Sequence, residues 1–377
     1  MHATQTRLAV IDGLRGVAIL GIVFHHLVGP TTSPGWHAVA VSGFPIPLAS
    51  PLANSWLAVN LFFTLSGFVI FLPFAQGKRS MTGLSSILGF WKARARRLLP
   101  LFYVASFVSV FIGGSLSDPS LWHELLLLIS GLFVFTKEYW MPPQNIVLWS
   151  LGAEIWMSVV FPLVALCCRA FGTYRSASVI FFLSLLIRFI ATWCLPGEFQ
   201  VNPYLDRLAD SFAGRLDDFV LGMCIASAWA TQSLAKLPVR GAPLFCLGVL
   251  AFLIASCLWD YVILGWIPHS YTCFFNLVVG ASSFCLISGI LTAPSGLLLR
   301  VLTNPALCLL GAACYSIYMW HFLVERAVLP WIPGRPLALS DVGAVATYLV
   351  ALTIISFVSY RLIERNPLFT KSFVDKP

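Results

Sequence analysis

The sequence predicts an all-α, polytopic integral membrane protein of about ten transmembrane helices, with both termini in the cytosol. Three observations predict it. Hydrophobic residues make up 59% of the 377-residue chain and charged residues only 10%, against about 25% charged in an ordinary globular protein. Mean hydropathy is +0.87. The apolar residues gather in runs of about 20, the length that crosses roughly 30 Å of hydrocarbon, and basic residues favour alternate connecting loops. So little charge excludes a water-soluble enzyme, a secreted disulfide scaffold and a nucleic-acid binder with a basic face. The ten cysteines stand singly or as the adjacent pair Cys167 and Cys168. They show no CxxC or mixed Cys/His spacing and read as buried thiols.

The first run, 8–28, follows Arg7 without a small-residue cleavage site, so it reads as a retained span. Further spans are expected at 56–75, 98–116, 149–168, 176–195, 216–235, 243–264, 272–292, 304–328 and 341–360. The run 121–135 is shorter, carries His123 and Glu124, and is placed by charge. Lys78, Arg79, Lys92, Arg94, Arg96 and Arg97 stand together without an acid, so they mark a cytosolic segment. Residues 29–55 contain neither Lys nor Arg and face outward. Arg169 and Arg175 reach the cytosol only if two crossings follow Arg97, which makes 121–135 interfacial or re-entrant. The same parity places Lys236, Arg240, Arg300, Arg361, Arg365, Lys371 and Lys376 inside. Arg207, Arg215 and Arg335 are the exceptions outside. With no soluble domain, repeat or low-complexity tract, a single membrane domain is expected over 1–377, with its core at 8–367. Its place is the cell membrane, the inner membrane in a Gram-negative cell.

Ionisable side chains inside spans are costly and therefore mark candidate sites. In IDGLRGVAILGIVFHH, Arg15 and His26 are eleven positions apart, about 20° beyond three full helical turns. They share one face, whereas His25 lies about 80° away. Each histidine could instead be an interfacial residue at the span's outer end. Arg94 and Arg97, at i,i+3 in WKARARRLLP, project together. They can hold phosphates by charge-assisted hydrogen bonds, or simply anchor the helix on the cytosolic side. Glu154 lies about one turn into the fourth span and must pair with a base or stay protonated. His321 in YSIYMWH is either interior or part of an outer aromatic belt with Tyr318 and Trp320. Arg361 and Glu364 leave the last span at i,i+3. The acids of RLDDFVLG form a membrane-border cluster rather than a metal site, and no metal is expected.

The order of these blocks resembles the membrane-bound acyltransferase family 3, from Ile11 to Pro367. The family's opening Arg and His fall on Arg15 and His26. LFFTLSGFVI at 61–70 resembles its second-span signature, the arginine-rich third-span entrance falls on Arg94, Arg97 and Pro100, and WSLGAEIWMSVVFP places its acid at Glu154. Ala93 stands where many members have another arginine, and Ile155 where many have a second acid, which argues against a two-carboxylate mechanism. RLDDFVLG, YSIYMWH and SYRLIERNP complete the series.

The resemblance implies an O-acyltransferase whose acyl-CoA donor, commonly acetyl-CoA, approaches from the cytosol. The implied acceptor is a sugar hydroxyl of an envelope polysaccharide or glycolipid, or a glycosylated small molecule such as a macrolide. It assigns His26 as general base or acyl carrier, and Arg15 to donor orientation or oxyanion stabilisation. Arg94 and Arg97 become donor contacts, Glu154 a tuning acid and His321 an acceptor- or acyl-handling residue. An appended extracytoplasmic SGNH transferase domain, present in some relatives, is not expected, so a separate transferase is a possible partner. The different-class alternative is a transporter of an acylated glycan or lipid. No nucleic-acid partner is implied.

Overall fold

The computed structural model describes residues 2–28, 38–41, 44–47, 50–113, 117–202, 204–292, 296–329 and 341–366. Arg335, Lys371 and Lys376 of the charge-parity argument, and Pro367 of the last block, lie outside them. The helices in chain order are α1 (His2–Val28), α2 (Ser50–Ala53), α3 (Ala58–Ala75), α4 (Leu84–Gly113), α5 (Pro119–Ser130), α6 (Leu148–Phe171) and α7 (Thr173–Phe189). There follow α8 (Leu216–Ala230), α9 (Ala242–Ile263), α10 (Thr272–Thr292), α11 (Gly296–Leu302), α12 (Pro305–Ala312), α13 (Cys314–Val328) and α14 (Val342–Ser359). A two-stranded antiparallel hairpin, β1 (Ala38–Val41) with β2 (Phe44–Pro47), is the one sheet among the described residues.

Among these residues eight helices are long and apolar enough to cross a membrane, and nine spans result if α12 and α13 count as one broken crossing. The chain is thus a multi-pass membrane protein. Helices occupy all ten stretches expected from the sequence, but two differ from a simple rod. The 304–328 run breaks at Ala313 between α12 and α13. In the 216–235 run only α8 is α-helical, 15 residues or about 22 Å long, and a short 3-10 turn, Ser233–Lys236, follows. Helix α8 ends at Thr231 and Gln232, the latter left-handed at φ 58°.

Helix α4 starts at Leu84, well before the expected 98, because Ala, Arg and Lys in WKARARR favour continued helix. Its 30 residues reach about 45 Å, longer than the hydrocarbon layer, and take in Lys92, Arg94, Arg96 and Arg97, while Lys78 and Arg79 lie before the helix. The 121–135 run forms α5 and a short 3-10 turn rather than a span. Asp118 starts α5 by accepting the Ser120 amide at 2.9 Å, Pro119 follows, and Gly131 stops it at φ 71°.

The chain folds into two compact units interleaved in sequence. One holds the described residues of 1–80 and 164–312. In it α3 packs along α8, α9 along α10, and α1 along α12. Glycines set these contacts: a Cβ on Gly67 would overlap the Phe219 carbonyl, one on Gly222 the Thr64 carbonyl, and one on Gly311 the Asp12 carbonyl. Close backbone approach replaces the missing hydrophobic drive between helices in lipid. The other unit holds the described residues of 81–163, 313–333 and 337–377, with α13 against α14 and α4 against α5 and α13.

Candidate active site

The first unit carries Arg15, His25 and His26 on α1. Arg15 and His26 are both half-buried, on one continuous helix, so the face-sharing expected from helical phase holds along roughly 16 Å of axis. Arg15 is not alone: its guanidinium contacts the Asp12 carboxylate one turn earlier at 3.3 Å. His25 points elsewhere and gives Nδ1–H to the Ala53 carbonyl. Since a carbonyl can only accept, that nitrogen must carry the proton. The rings of His25 and His26 lie edge to face with centroids 5.0 Å apart.

Ala53 belongs to α2, a single turn fixed by polar contacts. Asn54 Nδ2 donates to Asp260 Oδ1 of α9 at 2.7 Å and to the Ser256 carbonyl at 3.0 Å, and Ser50 Oγ donates to Asp260 Oδ2. Asp260 thereby holds the turn that receives His25, next to His26 in sequence.

A larger polar network lies where α7, α8 and α10 meet. Arg188 pairs with Asp217 at 2.7 Å, and Arg215 with Asp210 and, at 3.9 Å, Asp218. Asn60 Nδ2 donates to Asp218 at 2.9 Å, and Asn276 Nδ2 donates to both aspartates of α8. All seven of these charged and amide groups are buried, five on α3, α7, α8 and α10 and two, Asp210 and Arg215, just before α8. In the loop before α8, burial raises the Asp206 carboxyl above its ordinary range, although the Leu208 and Ala209 amides donate to it at 2.8 Å.

The second unit holds the other candidates. Arg94 of α4 donates to Glu154 of α6 at 2.9 Å and through Nε to Ser158 at 3.1 Å. The base that Glu154 requires is therefore Arg94. Three residues on, Arg97 meets Glu364 at 3.1 Å. Glu364 lies on the π-helical turn Tyr360–Glu364 that closes α14 and also accepts the Ser316 amide, at 2.8 Å, and the Ser316 hydroxyl. Its side chain is 1% exposed while that of Arg97 is 47% exposed. The guanidinium is thus held from one side and open on another. Tyr315 gives its hydroxyl to the Leu98 carbonyl at 2.6 Å and lies within electrostatic reach of both ion pairs.

His321 is fully buried on α13, with Tyr318 and Trp320 buried beside it, so these rings form no lipid-facing belt. Its Nδ1–H donates to the Tyr318 carbonyl at 2.7 Å, which leaves the lone pair of the neutral ring on Nε2. Tyr318 bonds Ser150 of α6 at 2.6 Å, and Trp320 donates to Ser359 of α14 at 3.0 Å.

Sequence reasoning missed Glu364 as the partner of Arg97, and Arg188 and Asp260 altogether. The latter two had a visible signal, a lone charge within an apolar run. Glu364 had none beyond its i,i+3 spacing from Arg361, which instead lies over the Phe357 ring at 5.0 Å. No group of three or more His, Cys, Asp or Glu able to hold a metal ion occurs among the described residues.

Residues 8–361 match a family described as an acyltransferase domain. The chain is 25% identical over 391 residues to the O-acetyltransferase OatA of Staphylococcus aureus (strain NCTC 8325 / PS 47), covering 96% of this chain and 57% of the relative. It is 24% identical over 375 residues to the candidate O-acetyltransferase SACOL0978 of Staphylococcus aureus (strain COL), covering 94% of this chain and 56% of the relative. The chain thus spans little more than half the length of these relatives. No solved structure matches significantly. With a match across nearly its whole length, the chain belongs to the acyltransferase domain family, the membrane-bound acyltransferase family 3 that its motif order resembles.

Proposed function

We propose that the protein is an integral-membrane O-acyltransferase that moves an acetyl group from acetyl-CoA to a sugar hydroxyl of an envelope polysaccharide or glycolipid. The observation that carries this reading is the family match over residues 8–361, with relatives named O-acetyltransferase. The paired arginines of α4 support the donor side. Arg94 spends two of its five N–H donors on Glu154 and Ser158, and Arg97 is half-exposed against a buried carboxylate. A guanidinium oriented in this way suits the phosphates of a CoA donor.

In this reading His26 takes the proton of the acceptor hydroxyl as the oxygen attacks the thioester carbonyl. The C–S bond breaks, and the CoA thiolate leaves to be protonated. Arg15, oriented by Asp12, stabilises the oxyanion of the tetrahedral intermediate. If His26 is instead an acyl carrier, acid quench traps label on the protein. Glu154 acts on Arg94, and His321, with its proton fixed on Nδ1, serves acceptor handling.

The test uses the purified full chain in detergent with radiolabelled acetyl-CoA and a panel of envelope glycans and glycolipids. Wild type transfers label, and His26→Ala and Arg15→Ala lose at least about 100-fold of that rate. Folded wild type that neither transfers label nor hydrolyses any acyl-CoA sinks the reading. Full activity in His26→Ala removes that residue from the chemistry.

A further inference from the structure

The buried network of α7, α8 and α10 borders a cavity that the chemistry proposed above does not use. Its volume is about 260 Å³, space enough for part of a lipid but small beside typical drug-binding pockets of roughly 300–1,000 Å³. Phe181, Leu221, Leu277 and Phe284 form its walls, and Asp217, Asp218 and Asn276 line it on the polar side. On α10 the wall is low because Gly280 and Ala281 present almost no side chain. Ala281 and Leu277 are exposed on the outer surface of that helix.

The two parts of this cavity need different solvents. Water beside the phenylalanine and leucine walls would forgo hydrogen bonds, whereas a bare hydrocarbon chain would face carboxylate oxygens. An amphiphile satisfies both. The charge of the network selects its head. Three carboxylates, Asp210, Asp217 and Asp218, stand against two guanidiniums, Arg188 and Arg215, with Asp206 hydrogen-bonded beside Asp210. An anionic phosphate head would meet no uncompensated cation, since Arg188 and Arg215 are both paired with aspartates, while a hydroxylated head can donate to the carboxyl oxygens.

We propose that this trench binds a neutral, hydroxyl-bearing lipid, with its chain along Phe181 and Phe284 and its head at Asp217, Asp218 and Asn276. The charge-parity orientation puts that head at the outer face. Resting on the acyltransferase reading, the inference makes the trench the lateral entrance of a glycolipid acceptor from the bilayer.

The experiment measures retention of glucosyl-diacylglycerol and of phosphatidylglycerol with the same chains by the purified full protein in detergent, using native mass spectrometry. Wild type retains the glucosyl lipid about tenfold more strongly, a difference of about 1.4 kcal/mol. Gly280→Leu fills the trench and abolishes the preference. Gly280→Ala keeps it, because a Cβ there meets only Leu221, at an ordinary 3.6 Å. In the transfer assay Gly280→Leu loses the glycolipid and retains a short water-soluble glycoside. Equal retention of the two lipids by wild type overturns the proposal, and that measurement needs no variant to fold. Unchanged preference in Gly280→Leu overturns it too. Selective retention without any acyl transfer keeps the lipid site and removes only the enzymatic reading.

Discussion

Arg94 of α4 holds Glu154 of α6 at 2.9 Å, with Ser158 one turn along α6 completing the clasp. The acid of the fourth span thus finds its counter-charge within its own unit, and the pair ties together two of that unit's longest helices. Both side chains are about one-fifth exposed, so the bond is sheltered from water. Breaking such a pair by removing one partner leaves an uncompensated charge. Glu154→Gln should therefore lower stability by about 2 kcal/mol. A double-mutant cycle with Arg94→Gln should give a coupling of about 1–3 kcal/mol by thermal unfolding in detergent. Additive effects would show that the pair contributes nothing.

Glu364 fixes Arg97 from a buried position, and Ser316 fixes Glu364. If Arg97 contacts the donor, Glu364→Gln should raise the KM for acetyl-CoA about tenfold, a loss of about 1.4 kcal/mol of binding. The turnover number should fall much less. Ser316→Ala should move the same parameter in the same direction by a smaller amount. A fall in turnover with unchanged KM would assign the pair to packing alone.

Asp260 anchors α2, whose Ala53 carbonyl receives His25. Asp260→Leu removes the acceptor for Ser50 and Asn54 and should cost about 1–3 kcal/mol for the polar groups left behind. It should also reduce transfer at saturating donor and acceptor by displacing the C-terminal end of α1. Asp260→Asn keeps one acceptor oxygen and should recover part of the rate. Equal rates in both variants would separate α2 from the α1 histidines.

Gly67 and Gly222 let α3 and α8 meet backbone to backbone. Gly222→Ala places a Cβ into the Thr64 carbonyl, and backbone displacement of this kind costs about 1–3 kcal/mol. Lower thermal stability and reduced yield are expected. Retention of the wild-type melting temperature would mean that the helices part without cost.

Burial raises the Glu124 carboxyl on α5 above its ordinary range, outside the spans. The folded state therefore holds this proton more tightly than the unfolded chain. Its contribution is fully present below the unfolded pKa and is lost as pH rises through the folded one. The Glu124→Gln variant should flatten that part of the stability curve on the acid side of neutrality. An identical pH dependence in both proteins would count against the buried acid as its cause.

Much of the architecture was legible because hydrophobic length and positive charge are one-dimensional signals. The runs near 56–75 and 272–292 agree closely with α3 and α10, and the refusal of 121–135 to span followed from charge parity. Helical phase likewise put Arg15 and His26 on one face, since a continuous helix fixes that relation locally. The start of α4 differed because hydropathy marks where the lipid ends, while Ala, Arg and Lys carry the helix onward. The break at Ala313 differed because packing, not apolar length, decides it.

Partnership was decided only in three dimensions. The sequence by itself determined that this is a multi-pass membrane protein of the acyltransferase family and which charges stand where lipid disfavours them. It required Glu154 to pair with a base or stay protonated, and did not name Arg94, sixty positions away. It hid the role of Glu364, separated from Ser316 by 48 positions. An ion pair depends on the distance between side chains on different helices. That distance follows from how glycines and side-chain shapes let the helices pack, which no local pattern records.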